Sequence, residues 1–564
     1  MTNNDVLVIG AGHNGLAAAG YLARAGLGVT VLEARSLVGG ASTTEEILPA
    51  LRGSSCAFTV GLLRPEVIND LELKKYGLDL YHGGDAMTWT IEDGGRDYVM
   101  WSEVDETLRE TRERFGAVEA EGFMSLGMDM QVVGDLLTPL LLAPPITMDE
   151  LADRFDRVGA GALFDRFVTG NVRDVVERYF TDPLLRGHFA YPGLVSFFGG
   201  PSTPGSAYVF AHHSVGEFEG HFGQWGWARG GMGAIADALA ASARAYGATV
   251  LTDQRVARIM VDDGRVTGVV TAEGREFTAR VVISNLDPTT TMTSLLPAEH
   301  TDQTFGEIDH RGSMARVYFA ADALPRYRTD REHALHSAHT FLGPDVGVLE
   351  AAGKAQAAGR LPDAPPIEVV IEGVRDPQLR DGKRYLITTG VQQLPIELAD
   401  RSWDEARTDL ERLALRRLED FAPGFTDHVL DVSSLTPQDL AREYGLPGGN
   451  IYHGAMTPDQ ILAGRSPYRT PVAGLYLCGS GTHPGGGVMG APGYNGAMAV
   501  LTDLELPTPR PWAVRSGASL AERSRMYLAA ATQGTAAGRR LMTRLASSRT
   551  LRPAVRTFTK RKSQ

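Results

Sequence analysis

Three glycine-rich segments hold the residues best suited to chemistry in this 564-residue chain. Residues 10–15 read GAGHNG and follow an apolar stretch, residues 37–42 read LVGGAS, and residues 478–490 read CGSGTHPGGGVMG. Glycines in such loops let the backbone approach a phosphate closely, and the N-terminus of a following helix offers free N–H groups to it. The segments therefore indicate a pyrophosphate-binding site.

Glu33 and the two later loops specify the dinucleotide. Glu33 ends a predicted strand about twenty positions after Gly10, where a carboxylate accepts hydrogen bonds from the ribose hydroxyls of adenosine. The pair Gly39-Gly40 lets a second loop close on the pyrophosphate and reach a ribityl chain, which an NAD enzyme does not need. The third loop can place helix N–H groups beside an isoalloxazine ring, where they stabilise the charge of reduced flavin. The predicted cofactor is FAD.

The residues that would bind this cofactor come from all three loops and from the end of the second predicted strand. They are Gly10, Ala11, Gly12, Asn14, Gly15, Glu33, Ala34, Arg35, Gly39, Gly40, Ala41, Ser42, Gly479, Gly486, Val488 and Met489.

The elements that must position these loops form a β-α-β unit at the start of the chain. Residues 5–9 and 28–32 are predicted as buried strands, with an alanine-rich helix between them. A further strand at 280–283, a strand at 474–478 and a helix at 495–504 resemble parts of the same unit. Residues 58–225 show amphipathic helices with few strand signals, and 289–465 mix strands with helices.

This pattern predicts an α/β protein whose cofactor domain is discontinuous. The predicted FAD-binding domain comprises residues 1–57, 226–288 and 466–505. The predicted substrate domain comprises residues 58–225 and 289–465, and a basic tail follows at 506–564.

Charge is unevenly distributed along the chain. The net charge is −13, which argues against nucleic-acid binding, yet residues 510–564 carry thirteen Lys and Arg and a single acid, Glu522. In this tail the arginines alternate with apolar side chains, as in an amphipathic helix that lies on anionic lipid. The alternative is a solvated tail.

The number of cysteines and the hydropathy of the chain limit the redox chemistry and the cellular location that we expect. Only Cys56 and Cys478 are present and no C-x-x-C occurs, which excludes a dithiol redox centre and fits a reducing compartment. No apolar run reaches the length of a membrane span, and a strand predicted at residues 6–9 leaves no room for a signal peptide. We expect a cytoplasmic protein, peripheral on the inner membrane face if the tail binds lipid, and no metal site.

The order of motifs resembles the phytoene-desaturase-type flavoproteins. Its pattern is most similar to the desaturase-like carotenoid ketolases and to the animal flavoprotein called pyridine nucleotide-disulphide oxidoreductase domain-containing protein 2. The matching stretches are residues 8–42, residues 204–240 with the motifs PGSA, HH, WG and GGMG, and residues 445–496 with the motifs GGNIYHG and YRTP. The dithiol that the animal protein's name suggests has no counterpart in this chain.

The resemblance implies a glutathione-reductase-like FAD-binding Rossmann domain interleaved with a mixed-sheet and helical substrate domain. It implies oxidoreductase chemistry on an apolar substrate and the FAD roles of the glycines and Glu33. It also implies that the strand at Val256 meets the adenine through its backbone.

Catalytic candidates are polar residues near the predicted flavin end. His483 in the third loop, His453 in a glycine-flanked turn and Arg316 on an apolar strand could each face the ring. The alternatives are an imidazole that only braces its loop and an arginine that only forms an ion pair. Pocket roles are also predicted for Tyr452, His212 and His213.

The predicted function is FAD-dependent desaturation or oxidation of an apolar, isoprenoid- or carotenoid-like substrate by hydride transfer to flavin. Oxygen or a quinone would accept the electrons. Two alternatives stay open: an amine or amino-acid oxidase, and a non-catalytic lipid- or prenyl-binding protein on the same fold.

Overall fold

The computed structural model describes residues 4–218, 220–329, 331, 333–510 and 512. The predicted lipid-binding part of the basic tail lies outside these residues. In chain order the strands are β1 (Asn4–Ile9), β2 (Val29–Leu32), β3 (Thr44–Leu48), β4 (Leu51–Ser54), β5 (Leu80–Tyr81), β6 (Ala86–Ile91), β7 (Asp97–Trp101), β8 (Glu217–Phe218), β9 (His221–Phe222), β10 (Trp227–Ala228), β11 (Thr249–Leu251), β12 (Val256–Asp262), β13 (Arg265–Thr271), β14 (Glu276–Ser284), β15 (Ser313–Ala321), β16 (His339–Leu342), β17 (Ile367–Val370), β18 (Tyr385–Leu394), β19 (Val429–Leu435) and β20 (Leu475–Leu477).

The α-helices alternate with these strands in the cofactor-type segments and cluster together between β7 and β8. They are α1 (His13–Arg24), α2 (Pro65–Asp70), α3 (Val104–Phe115), α4 (Ala117–Leu137), α5 (Met148–Arg157), α6 (Gly161–Phe164), α7 (Val172–Tyr179), α8 (Pro183–Ala190), α9 (Ser206–Ser214), α10 (Gly233–Ala245), α11 (Val346–Ala357), α12 (Glu372–Arg375), α13 (Trp403–Phe421), α14 (Pro437–Tyr444) and α15 (Ala491–Asp503).

The first sheet has a parallel core built from distant parts of the chain. Its order is β11-β2-β1-β14, with β20 also pairing with β14, and all of these pairs are parallel. The antiparallel strands β13 and β12 extend it beyond β14. The carboxyl ends of β1, β2, β14 and β20 therefore lie at one edge, where ligands of open parallel sheets bind.

Helices α1, α10 and α15 cover one face of this sheet. Small residues let α1 and α15 approach closely: a Cβ on Gly493 would stand 2.1 Å from the Asn14 carbonyl oxygen. Alanines 17, 18 and 19 of α1 are completely buried in the same core. The alanine-rich helix predicted from the sequence is thus the central packing element of the cofactor half.

The second sheet is mainly antiparallel and has the order β19-β15-β18-β17-β16-β6-β7. Helix α13 covers one face, with Trp403, Leu410 and Leu418 packed among strand residues such as Val317 and Ile387. The capping box of Ser402 and Glu405 fixes where α13 begins.

The segment predicted as mainly helical also supplies two strands to the second sheet. β6 runs parallel to β16 and antiparallel to β7, so residues 86–101 form one edge of this sheet. The other described parts of residues 58–225 are largely helical and form a separate apolar core around α4, α7, α8 and α9. No helix within the described residues has the length and apolar character needed to cross a membrane.

Candidate cofactor and substrate site

Four loops converge at the carboxyl edge of the parallel sheet. Gly10 follows β1, Glu33 follows β2, Asn285 follows β14, and Ser480 lies shortly after β20. Residues of all four loops line one cavity of about 450 Å³. The strand order therefore collects segments that are hundreds of residues apart around a single binding site.

The glycines of the first two loops leave room where any side chain would collide. A Cβ on Gly15 would lie 2.2 Å from the Gly10 carbonyl oxygen, so only glycine lets α1 start against β1. Gly39 donates its N–H to the Ala11 carbonyl (2.8 Å) and has φ of +120°, and a Cβ there would lie 2.5 Å from the Ser42 carbonyl oxygen. The two loops thus form a close-fitting backbone cradle, as an extended dinucleotide requires.

Glu33 is 7% exposed and its carboxylate is held by backbone donors. Oε2 accepts the Ala11 N–H at 2.7 Å, and Oε1 accepts the Arg35 N–H at 2.8 Å. A carboxylate offers about four lone-pair sites, so each oxygen can still accept a ribose hydroxyl. The backbone bonds fix the carboxylate at the cavity wall.

The third loop is tied to the first loop and to the substrate half. The Asn14 side chain donates to Ser480 Oγ at 3.3 Å, joining α1 to the segment after β20. Val488 has φ of +53°, a conformation that is rare for a β-branched residue and that is found at functional sites. It lines the cavity directly before α15, so the strained backbone lies where the flavin edge is predicted.

Arg465 clamps the third loop from behind. Its guanidinium donates to the carbonyl oxygens of Ser480 (2.8 Å), Thr482 (3.2 Å) and Tyr452. Complete burial lowers the pKa of Arg465 to about 10, although the nearby tyrosines act to raise it. The sequence pattern did not single out this residue, because its partners are mostly backbone oxygens, together with Met456 Sδ, and leave no local motif.

The same cavity extends to the second sheet, where aromatic and aliphatic side chains form most of its wall. We call this part the second-sheet end. Its apolar lining residues are Phe58, Leu62, Tyr191, Val195, Trp225, Met314, Phe341 and Ile451.

A buried ion pair crosses the second-sheet end. Arg316 on β15 and Glu368 on β17 are both opposite Gly390 of the intervening strand β18. Because Gly390 has no side chain, Arg316 Nη1 reaches Glu368 Oε1 at 2.7 Å; a Cβ there would lie 2.2 Å from this carboxylate oxygen. Arg316 also lies over the Phe58 ring, 4.1 Å from its centroid.

Glu368 has three side-chain donors. Besides Arg316, Gln392 Nε2 donates to Oε1 at 3.1 Å and His339 Nε2 to Oε2 at 3.1 Å. Burial would raise the pKa of Glu368, but Arg316 and His339 outweigh burial and lower it to about 2. The charge of Glu368 is thus balanced within the cluster. Neither Glu368 nor His339 was predicted, because their partners lie on separate strands and leave no local sequence pattern.

The predicted cofactor residues divide into those on the cavity wall and those behind it. Gly10, Gly12, Asn14, Glu33, Ala34, Arg35, Gly39, Gly40, Ala41 and Val488 line the cavity. Ala11, Gly15, Ser42, Val256, Gly479, Gly486 and Met489 lie outside its lining. Ser42 donates instead to the Met232 carbonyl at 3.1 Å, and beside Val256 it is Arg255 that lines the cavity.

The catalytic candidates divide in the same way. Arg316 and His453 line the cavity, and burial lowers the pKa of His453 to about 3. His483 does not: its Nε2 is 2.8 Å from the Leu140 carbonyl, and burial lowers its pKa to about 4. This placement favours the bracing role for His483.

The remaining pocket candidates form a small chain of contacts. His213 lines the cavity and its Nε2 is 3.1 Å from the Tyr452 hydroxyl, while its Nδ1 is 3.0 Å from the Val209 carbonyl. His212 turns away and approaches the Gly486 carbonyl with Nε2 at 2.9 Å. His213 therefore faces the cavity with the buried Tyr452 behind it, whereas His212 supports the third loop.

Fold and site together define a flavin-binding Rossmann-type oxidoreductase. Residues 147–492 match the flavin containing amine oxidoreductase family, and residues 8–63 match the NAD(P)-binding Rossmann-like domain. The chain belongs to this flavin-dependent family. The predictions of an α/β Rossmann fold, of FAD and of an FAD-dependent oxidoreductase are thereby confirmed.

Named relatives agree with this assignment. The chain is 36% identical over 545 residues to pyridine nucleotide-disulfide oxidoreductase domain-containing protein 2 of Rattus norvegicus, covering 89% of this chain and 94% of that protein. It is 29% identical to hydroxyneurosporene desaturase of Cereibacter sphaeroides, covering 88% and 98%. Among solved structures, an oxidoreductase from Methanosarcina mazei shares the fold with a TM-score of 0.55 at 18% identity, covering 88% of this chain and all of that one.

Proposed function

We propose that the chain oxidises or desaturates an apolar, isoprenoid-like molecule held at the second-sheet end of the cavity. The observation that carries this proposal is a cavity that joins the cofactor cradle to a wall of aromatic and aliphatic side chains. When bound, FAD supplies a two-electron acceptor that takes a hydride from the substrate. The protein's own residues orient the substrate and exclude water.

The charge distribution at the second-sheet end supports a neutral substrate. Glu368 already accepts bonds from Arg316, Gln392 and His339, so its negative charge is not available to a cationic ligand. Removing apolar surface from water lowers the free energy by about 25 cal/mol per Å². This hydrophobic effect supplies the binding free energy for a neutral hydrocarbon. One relative, hydroxyneurosporene desaturase, is named for a desaturation reaction.

The test is an anaerobic reduction screen with the purified holoprotein. Phytoene and shorter isoprenoids are presented in detergent, and loss of the oxidised-flavin absorption is followed. We expect bleaching with at least one of these molecules and none with detergent alone. Flavin that dithionite reduces but that no apolar molecule reduces would overturn the substrate proposal while leaving the FAD assignment intact.

An amine oxidase is the second candidate, favoured by the family match over residues 147–492. The same holoprotein is offered primary and secondary amines in air, and hydrogen peroxide is measured. Peroxide release with amines, together with no reduction by isoprenoids, would replace the first proposal. We expect the reverse, because Arg316 lines the same cavity and its positive charge disfavours an ammonium group there.

We also propose that the protein works in the cytoplasm, peripherally on the inner membrane face, through its basic tail. Trp512 donates to Asn495 Oδ1 at 3.0 Å, so the truncation should end after Trp512 to keep this contact. Full-length protein should co-sediment with phosphatidylglycerol vesicles and the truncated protein should not. Equal sedimentation of both would exclude docking by the tail.

For the electron acceptor we propose oxygen or a quinone. Reoxidation of the reduced holoprotein is timed in a stopped-flow instrument with dissolved oxygen and with a soluble ubiquinone analogue. Reoxidation by neither would overturn this proposal.

A further inference from the structure

Two buried polar atoms at the second-sheet end lack a hydrogen-bond partner among the described residues. They are the Tyr191 hydroxyl, on a side chain only 1% exposed, and Nδ1 of His339, which is 3% exposed. Both residues line the cavity, and Tyr191 and His339 each pack against the Phe341 ring. Buried polar groups without partners destabilise a fold, so a pair of them beside one cavity indicates a ligand.

The hydrogen-bonding character of His339 follows from its contact with Glu368. The carboxylate can only accept, so His339 Nε2 must carry the proton that it shares with Glu368 Oε2. Burial lowers the pKa of His339, although Glu368 acts to raise it, and the ring is neutral at pH 7. Its Nδ1 is therefore an unprotonated acceptor.

Tyr191 supplies the complementary group. Burial, followed by the nearby Glu368, raises the pKa of Tyr191 well above its usual value, so the phenol keeps its proton. A neutral phenol can donate a hydrogen bond through that proton or accept one through its oxygen. Two residues that line the cavity therefore carry a buried acceptor, His339 Nδ1, and a buried donor, the Tyr191 hydroxyl.

An aliphatic hydroxyl matches this pair because it donates through its hydrogen and accepts through its oxygen. An ammonium group matches poorly, since it has no lone pair for Tyr191 and would meet the Arg316 guanidinium that is paired with Glu368. A plain hydrocarbon would leave both polar atoms unpaired.

We infer that Tyr191 and His339 form a polar subsite that binds a hydroxyl group of an otherwise apolar substrate. Glu368 acts as a positioning residue, because it fixes the tautomer and orientation of His339. This inference rests on the proposed apolar substrate and narrows it to an apolar alcohol.

Three probes of matched size separate the two contacts: geraniol, geranyl methyl ether and myrcene. Geraniol can use both atoms, the ether can only accept from Tyr191, and myrcene can use neither. Affinities for the holoprotein are measured from the perturbation of the flavin absorption spectrum. We expect geraniol to bind about tenfold more tightly than the ether, and the ether more tightly than myrcene.

The variants Tyr191→Phe and His339→Gln test each contact. His339→Gln keeps an N–H for Glu368 but removes the Nδ1 acceptor, so the preference for geraniol over the ether should fall to about twofold or less. Tyr191→Phe should abolish the preference for the ether over myrcene.

Tyr327 and His336 provide matched controls. The Tyr327 hydroxyl and His336 Nδ1 are also buried without partners among the described residues, and the two rings lie 5.7 Å apart outside the cavity lining. Tyr327→Phe and His336→Gln should leave all three affinities unchanged.

Equal affinity of the three probes for wild-type protein, or equal effects of the cavity and control variants, would overturn the subsite but leave the apolar cavity standing. No binding of any probe would overturn the apolar-substrate proposal and the subsite with it.

Discussion

At the residue scale, Glu33 holds the backbone of the first loop through Ala11 and its own loop through Arg35. The predicted contact with the ribose of FAD would use the remaining lone pairs of the carboxylate. We expect Glu33→Ala to raise the dissociation constant of FAD by about 10- to 100-fold, since two or more hydrogen bonds to a charged group are lost. Equilibrium dialysis of apoprotein with FAD measures this change.

Glu45 is the matched control for Glu33. It forms an ion pair with Arg35 at 2.6 Å, close to the site, but it does not line the cavity. Glu45→Ala should change FAD affinity by less than about threefold, because an ion pair that is still partly exposed to solvent contributes little. Unchanged FAD affinity in Glu33→Ala would contradict the ribose role.

Residues within contiguous motifs could be predicted, and residues brought together by the sheet could not. Gly10, Glu33 and Gly39 act through neighbours close in the chain, so their spacing indicates pyrophosphate binding. Glu368 and His339 lie on short, almost fully buried strands, where a polar residue leaves no periodic signal. Their roles depend on the strand order of β15, β18, β17 and β16.

At the element scale, β18 passes between the two partners of the buried ion pair. Gly390→Ala would place a Cβ 2.2 Å from Glu368 Oε1 and 2.3 Å from Arg316 Nη1, so the pair must separate. We expect a loss of about 3–5 kcal/mol in the free energy of unfolding, the cost of leaving buried charges unpaired. Chemical denaturation of the holoprotein measures it.

The control for Gly390→Ala is Gly127→Ala. Gly127 lies on α4, and a Cβ there meets no atom of the described residues within 4 Å, so the substitution should stabilise the protein by about 0.5–1 kcal/mol through helix propensity. A loss of 1 kcal/mol or less for Gly390→Ala would show that the Arg316–Glu368 pair tolerates separation.

The third loop depends on Arg465 for its position. Its guanidinium joins the segment around Tyr452 to Ser480 and Thr482, and lysine cannot reach these carbonyls together because it has a single ammonium group. We expect Arg465→Lys to increase the rate of FAD release several-fold with little loss of secondary structure. Flavin fluorescence after dilution measures the release of FAD. An unchanged rate would show that the contacts of Arg465 with the third loop do not contribute to cofactor retention.

Helices were predicted correctly where a long segment also showed a helical period of apolar residues. The sequence predicts helices at residues 104–115 and 403–420. The structure has α3 at the first range and α13 ending one residue later than the second, because both are long and amphipathic. β6 and β7 were missed because six- and five-residue strands inside a helical region carry too little period-2 signal. Their pairing with β16 is a property of the tertiary fold.

At the scale of the whole molecule, buried neutral histidines connect stability to pH. Burial lowers the pKa of His13, His336 and His483 to about 4, and that of His188, His212 and His453 to about 3. In the unfolded chain these groups titrate near 6.5. Between pH 6.5 and 4 the unfolded state therefore binds more protons than the folded state.

The sign of the effect follows directly: stability falls as pH drops below 6.5. At pH 5 each of the six histidines lowers the free energy of unfolding by about 2 kcal/mol. The sum of these losses approaches the total free energy of unfolding of an ordinary protein. We expect the holoprotein to unfold cooperatively between pH 6 and 4.5, measured by circular dichroism with flavin release as a second probe. Glu368, whose pKa is lowered to about 2, adds to this loss only below pH 4.5.

His336→Gln tests whether single buried histidines carry this dependence. His336 lies outside the cavity lining, so its removal leaves the site intact while deleting one group that must take up a proton on unfolding. The slope of unfolding free energy against pH, between pH 6 and 5, should decrease by about 1.4 kcal/mol per pH unit at most, the value for one proton. An unchanged slope would mean that this imidazole is already protonated in the folded state, in conflict with its burial beside Tyr327.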